Sequence, residues 1–142
     1  MTRHGDGPAN GAHDHLLKWG PVALWAAVLV LLSSVPGTDL PPLPGQSDKL
    51  LHAAVYAVLG ALWLRGLRLT WPCWGRARAV LIAAILSALF GISDEFHQAF
   101  TPRRTPDWHD LLADAIGGLI GAWILTLVLA RRRDSSKSDA AL

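Results

Sequence analysis

The chain has 142 residues, few enough for one domain, and 51% of them are hydrophobic against 17% charged. With a mean hydropathy of +0.31, its apolar surface exceeds what a water-soluble domain of this size can bury, which places the chain in the membrane class. A pI near 9.1 does not indicate a nucleic-acid partner, because the basic residues stand in short clusters between apolar runs, as in loops that face anionic lipid.

Residues 1–15 are polar and rich in Gly, His and Asp, which reads as a disordered tail. His4, His13 and His15 belong to it as solvated side chains and not as a metal site. The first apolar run, Leu16 to Val35, carries only Lys18 and ends at Pro36-Gly37. About twenty residues at ~1.5 Å each are enough to cross a hydrocarbon core of ~30 Å. A cleaved signal peptide is the competing reading, but the polar lead is long for one and no clear small-x-small site follows. Residues 36–47, with four prolines and two glycines, are an extended connection.

The second run extends from Ser47 to Arg68, with Ser47 or Asp48 as its N-cap. Trp71 and Trp74 in the short loop that follows suit the membrane interface. The third run, Ala77 to Phe100, is apolar as far as Ile92 and then becomes polar while still helical, until Thr101-Pro102 stops it. The fourth begins after Pro106, at Asp107 or Trp108, and continues to Ala130, before Arg131-Arg132-Arg133. Gly117 and Gly121 form a small-x-x-x-small pair that lets another helix approach closely. Cys73 is the single cysteine, so an internal disulfide and a cysteine-based metal site are both excluded. The fold class is therefore all-α, a membrane domain over residues 16–131 with four transmembrane helices in an antiparallel bundle, followed by a polar tail over 132–142.

Ten of the thirteen lysines and arginines fall on the side that holds both termini and the loop around residues 65–78; Lys49, Arg103 and Arg104 fall on the other. The positive-inside rule then puts both termini in the cytoplasm and the chain in the cell membrane. Seven of the eleven acids, Asp39, Asp48, Asp94, Glu95, Asp107, Asp110 and Asp114, lie on the outer side. An acid within a membrane helix is costly and marks a functional site.

Spacing brings these residues onto helix faces. Asp48, His52 and Tyr56 are four apart, Asp94 and Gln98 are four apart with Glu95 and His97 beside them, and Asp107, Asp110 and Asp114 follow at i, i+3 and i+7. Three helices thus carry polar residues to one depth. The ligand-binding set is Asp48, Lys49, His52, Tyr56, Asp94, Glu95, Gln98, Arg104, Asp107, Asp110 and Asp114, with Arg104 as the anion-binding group. Asp94, Glu95 and His52 are the catalytic candidates; Asp94, Glu95 and Asp110 are the candidates for a divalent metal. The five acids between 94 and 114 outnumber the nearby fixed cations. That excess invites a metal, a shared proton, protonated His52 or a cationic ligand group. Each position also has a plainer role: Asp48 as a cap, Tyr56 as an interface aromatic, His52 as an interhelical hydrogen-bonding group, Asp107 as a dipole partner. His97 and His109 are expected to face solvent. Asp114, two turns inside its helix, has no capping explanation.

The strings Asp48-Lys49-x-x-His52-x-x-x-Tyr56, Asp94-Glu95-x-x-Gln98-Ala99-Phe100-x-Pro102-x-Arg104-x-x-Asp107-x-x-Asp110 and Asp114-x-x-Gly117-x-x-x-Gly121 resemble, in order, three motifs of the VanZ-like family, over about residues 20–130. Asp114 departs from the asparagine typical there. The resemblance implies a link to glycopeptide antibiotics of the teicoplanin type and fixes no biochemical activity. The residues leave three functions open: a module that binds a lipid-linked, cell-envelope or glycopeptide ligand; an enzyme acting on a phosphorylated lipid or cell-wall precursor; and a small proton-coupled transporter using Asp114 and His52. Membrane lipid is a partner in all three. No recognisable nucleophile setting, phosphate loop or zinc spacing compels catalysis.

Overall fold

The computed structural model describes residues 8–36, 38, 47–104 and 107–139, which form four helices: α1 (Pro8–Ser33), α2 (Ser47–Thr70), α3 (Arg76–Gln98) and α4 (Trp108–Asp139). No strand occurs among the described residues. Each helix holds a stretch long and apolar enough to cross a membrane, namely Gly11–Ser33, Ser47–Thr70, Arg76–Gln98 and Trp108–Arg132. The all-α class and the four spans follow directly from the apolar runs.

Two helix ends differ from the expectation. α1 begins at Pro8, so residues 8–15 are helical and not a disordered tail. Proline is well suited to a first helical turn, Ala9 and Ala12 are strong helix formers, and Asp14 pairs with Lys18 one turn on. A helix already nucleated by the apolar run extends cheaply through such residues. α4 likewise continues past the arginine cluster to Asp139; charges end a membrane span without ending a helix. Residues 1–7 and 140–142 of the two tails, residues 37 and 39–46 of the proline-rich connection, and Pro106 lie outside the described residues.

Contacts fix the direction of each pair. Arg65 near the end of α2 reaches Leu17 in α1 while Trp25 reaches Val55, so α1 and α2 run oppositely. Gly118 meets Ser87 and Asp114 meets Gly91, so α3 and α4 run oppositely as well. The most extensive contact, however, is between α2 and α4, which run in the same direction: Ala53 faces Gly117 and Ala57 faces Gly121. At Gly60, Gly117 and Gly121 an added Cβ would collide with backbone of the facing helix. Lipid offers no hydrophobic drive for helices to associate, so close backbone packing through small residues is what holds this pair.

Pro21 lies inside α1 and has no N–H to give the carbonyl of Leu17. The Arg65 guanidinium supplies the missing donor at 3.0 Å. The far end of α1 is held in the same manner. Arg104 donates to the carbonyls of Val35 at 3.2 Å and Leu32 at 3.4 Å, and His97 shares a 2.9 Å hydrogen bond with Ser34. His97 is exposed, as expected, yet is tied to α1.

Candidate functional site

The N-terminus of α2, the C-terminus of α3 and the N-terminus of α4 meet at one end of the bundle. Asp107 caps α4, its Oδ1 accepting the His109 N–H at 2.9 Å. Lys49 crosses from α2 to this cap. Its Nζ lies 2.8 Å from Asp107 Oδ2, 2.5 Å from Asp110 Oδ1 and 3.3 Å from Asp48 Oδ2. The lysine beside Asp107, with help from His109, holds that carboxyl well below the usual carboxylate range. Glu95 joins the third helix to the same corner by accepting the Asp107 backbone N–H at 2.9 Å through Oε2.

One layer deeper, His52 Nδ1 lies 3.1 Å from Asp114 Oδ1. Side-chain exposure along α4 falls from 34% at Asp107 to 13% at Asp110 and 1% at Asp114, so the polar face passes from the surface into the interior within two turns. Asp114 fits because Gly91 stands opposite: a Cβ there would come within 2.9 Å of Asp114 Oδ2. Gly91 was not singled out among the site residues, although Ser87, Gly91, Asp94 and Gln98 share one helix face that runs from small residues into polar ones.

Asp94 (6% exposed), Glu95 (9%) and Tyr56 (1%) complete the interior layer. Asp94 Oδ2 accepts from Gln98 Nε2 at 3.2 Å. The Tyr56 hydroxyl stands next to the Asp94 carboxylate, close enough to interact with it as a hydrogen-bonding neighbour, and is within electrostatic range of Asp114 and Glu95; His52 is within that of Asp114, Asp110 and Glu95. Four buried polar atoms in this layer have no hydrogen-bond partner: Tyr56 Oη, Asp94 Oδ1, Glu95 Oε1 and Asp114 Oδ2. Buried polar atoms are normally satisfied by protein, ordered water or a bound group, so four together make this layer the candidate site.

The expected set is thus brought together with two exceptions. Asp48 is near the corner but about half exposed, where it flanks Lys49. Arg104, expected as the anion-binding group, is turned to the carbonyls of Leu32 in α1 and Val35 just beyond it. Asp94, Glu95 and Asp110 do not assemble into a metal cage: among the described residues no three His, Cys, Asp or Glu converge closely enough to hold a metal ion. Asp110 is engaged by Lys49 instead, a role that helix periodicity alone does not disclose because it spans two helices.

No curated protein and no solved structure matches the chain. A family model described as VanZ/LLP1 matches residues 20–129, a range that contains all four spans except the first turns of α1 and the last residues of α4. The motif residues at the polar corner and the four-span architecture agree with that match, and the chain belongs to the VanZ/LLP1 family.

Proposed function

We propose that this VanZ-like membrane protein binds the polar head of a lipid-linked, cell-envelope or glycopeptide ligand at the outer face of the cell membrane. The observation that carries the reading is the layer of four buried polar atoms without a well-formed hydrogen bond, on Tyr56, Asp94, Glu95 and Asp114, lying deeper than the partly exposed Lys49, Asp107 and Asp110. Leaving them unsatisfied costs roughly 1–3 kcal/mol each. A ligand that completes their hydrogen bonds recovers that cost. Phe96, Phe100, Trp108, Leu50 and Leu51 are exposed large hydrophobics on the same turns, so a ligand's apolar tail could lie in lipid while its head enters the corner. The ten-to-three lysine and arginine bias supports an outward-facing corner and cytoplasmic termini.

The test is retention of ligand by protein taken gently from its membrane. Native mass spectrometry of the wild type should find a bound envelope lipid, and Tyr56→Phe and Asp94→Asn should lose it while eluting as folded protein. Equal retention by all three would remove the site from this corner. A second reading, membrane enzyme, draws on the His52–Asp114 pair. A carboxylate on Nδ1 orients an imidazole so that its Nε2 can take a proton. Turnover of the retained lipid that fails in His52→Gln would favour it.

A further inference from the structure

Resting on the head-group reading above, we infer that the interior layer is selective for a primary ammonium group. The charge balance is the first reason. Lys49 is already shared among Asp107, Asp110 and Asp48, and Arg104 is turned to α1. The groups facing the interior layer are His52 and Tyr56 from α2, Asp94 and Glu95 from α3, and Asp110 and Asp114 from α4. Three buried carboxylates face one imidazole there, and buried negative charge without a partner is strongly disfavoured. A neutral sugar or glycerol hydroxyl leaves that excess in place, and a phosphate adds to it; a cation removes it.

Geometry selects among cations. A bare divalent ion needs oxygens at about 2.0–2.6 Å, and the described residues do not converge that closely. An ammonium nitrogen accepts longer contacts, near 2.8 Å, and carries three N–H donors. Asp94, Glu95 and Asp114 each present one unpartnered oxygen, which gives three acceptors for three donors. The Tyr56 hydroxyl stands beside the Asp94 carboxylate and can donate to it. A trimethylated ammonium has the charge without the N–H donors and leaves those carboxylate oxygens without hydrogen bonds.

The experiment measures binding of defined head groups to the full chain in detergent micelles by native mass spectrometry and by melting-temperature shift. Phosphatidylethanolamine should bind at least about tenfold more tightly than phosphatidylcholine or phosphatidylglycerol, the size of effect expected for charge-assisted hydrogen bonds. Glu95→Gln and Asp94→Asn should each reduce the preference, with helical content and elution volume unchanged. Free ethanolamine forms a separate arm. If it competes at a similar concentration, the ammonium arrives on a soluble molecule; if it does not compete, the carrier is a lipid; both support ammonium recognition. Equal binding of the choline lipid would overturn it. Binding of the glycerol lipid alone, lost in Asp94→Asn, would overturn the ammonium inference and leave the head-group site standing. No binding of any head group would overturn both. The wild-type comparison needs no variant, so a variant that fails to fold does not blunt the test.

Discussion

Replacing Gly121 with alanine should separate α2 from α4 and disable the polar corner together. A Cβ at residue 121 would collide with the Ala57 carbonyl and lie 2.7 Å from Ala57 Cα, against an ordinary contact of 3.4–4 Å. The obstacle is helix backbone and not a flexible side-chain tip, so the helices must part by roughly 1 Å. Overpacking costs about 1–3 kcal/mol, and a backbone obstacle puts this case at the upper end. About 3 kcal/mol corresponds to a fall in melting temperature of roughly 6–12 °C for a chain of this size. The same displacement carries the 3.1 Å His52–Asp114 contact beyond hydrogen-bonding distance, so ligand retention should fall with stability. The seven tryptophans allow thermal unfolding in micelles to be followed by intrinsic fluorescence. Gly75→Ala is the control, since nothing lies within 4 Å of a Cβ there. If Gly121→Ala melted within a degree or so of wild type and of Gly75→Ala, the close α2–α4 contact would be wrong.

Arg65→Met should destabilise the protein by about 1 kcal/mol through the Leu17 carbonyl that Pro21 leaves without a donor; in a Pro21→Ala background the loss should shrink, and an unchanged loss would assign Arg65 another role. Arg104→Lys should keep head-group binding, because the side chain serves the α1 carbonyls; loss of binding in a stably folded Arg104→Lys protein would restore it to the site. Asp107 lies outside the spans and its carboxyl is held low by Lys49 and His109, so its contribution is complete above the ordinary carboxylate range and disappears only as pH falls through the lowered one. Asp107→Asn should therefore lower the melting temperature equally at about pH 7 and about pH 5, whereas a difference that halves over that interval would contradict the pairing. In intact cells, a membrane-impermeant maleimide should miss the exposed native Cys73 and label Pro102→Cys in a Cys73→Ser background; the reverse pattern would turn the topology inside out.

The four spans were legible because each is a single apolar run closed by charge, proline or glycine, and the bilayer fixes the length such a run must have. The polar corner was legible for a related reason. Asp107, Asp110 and Asp114 repeat at helical spacing, as do Asp48, His52 and Tyr56, and acids at helix depth have few innocent explanations. Relations between helices were harder to read. Nothing in the periodicity of α2 or α4 says that Ala57 faces Gly121 or that the closest pair is parallel and non-sequential. Gly117 and Gly121 announced a close approach without naming the partner. The partners of Lys49 were not legible, because its reach to Asp107 and Asp110 depends on that same register. The contacts of Arg104 were not foreseen because they are made to main-chain carbonyls at and just beyond the end of α1, and orphan carbonyls leave no mark in sequence. The helix ends were missed at both tails because solvent-exposed residues of good helix propensity extend a helix without any apolar signal.

Three helices bring Tyr56, Asp94, Glu95 and Asp114 to one buried layer, and the proposed binding of a ligand's head group there can be observed. An experimental density map of the protein in a lipid nanodisc containing phosphatidylethanolamine measures this most directly. His52 should lie against Asp114, with density from a bound head group within hydrogen-bonding distance of Asp94 Oδ1, Glu95 Oε1 and Asp114 Oδ2. A map in which Asp94 and Asp114 point to opposite, lipid-facing sides of the bundle, or in which these oxygens are satisfied by the protein itself with no room between them, would contradict it.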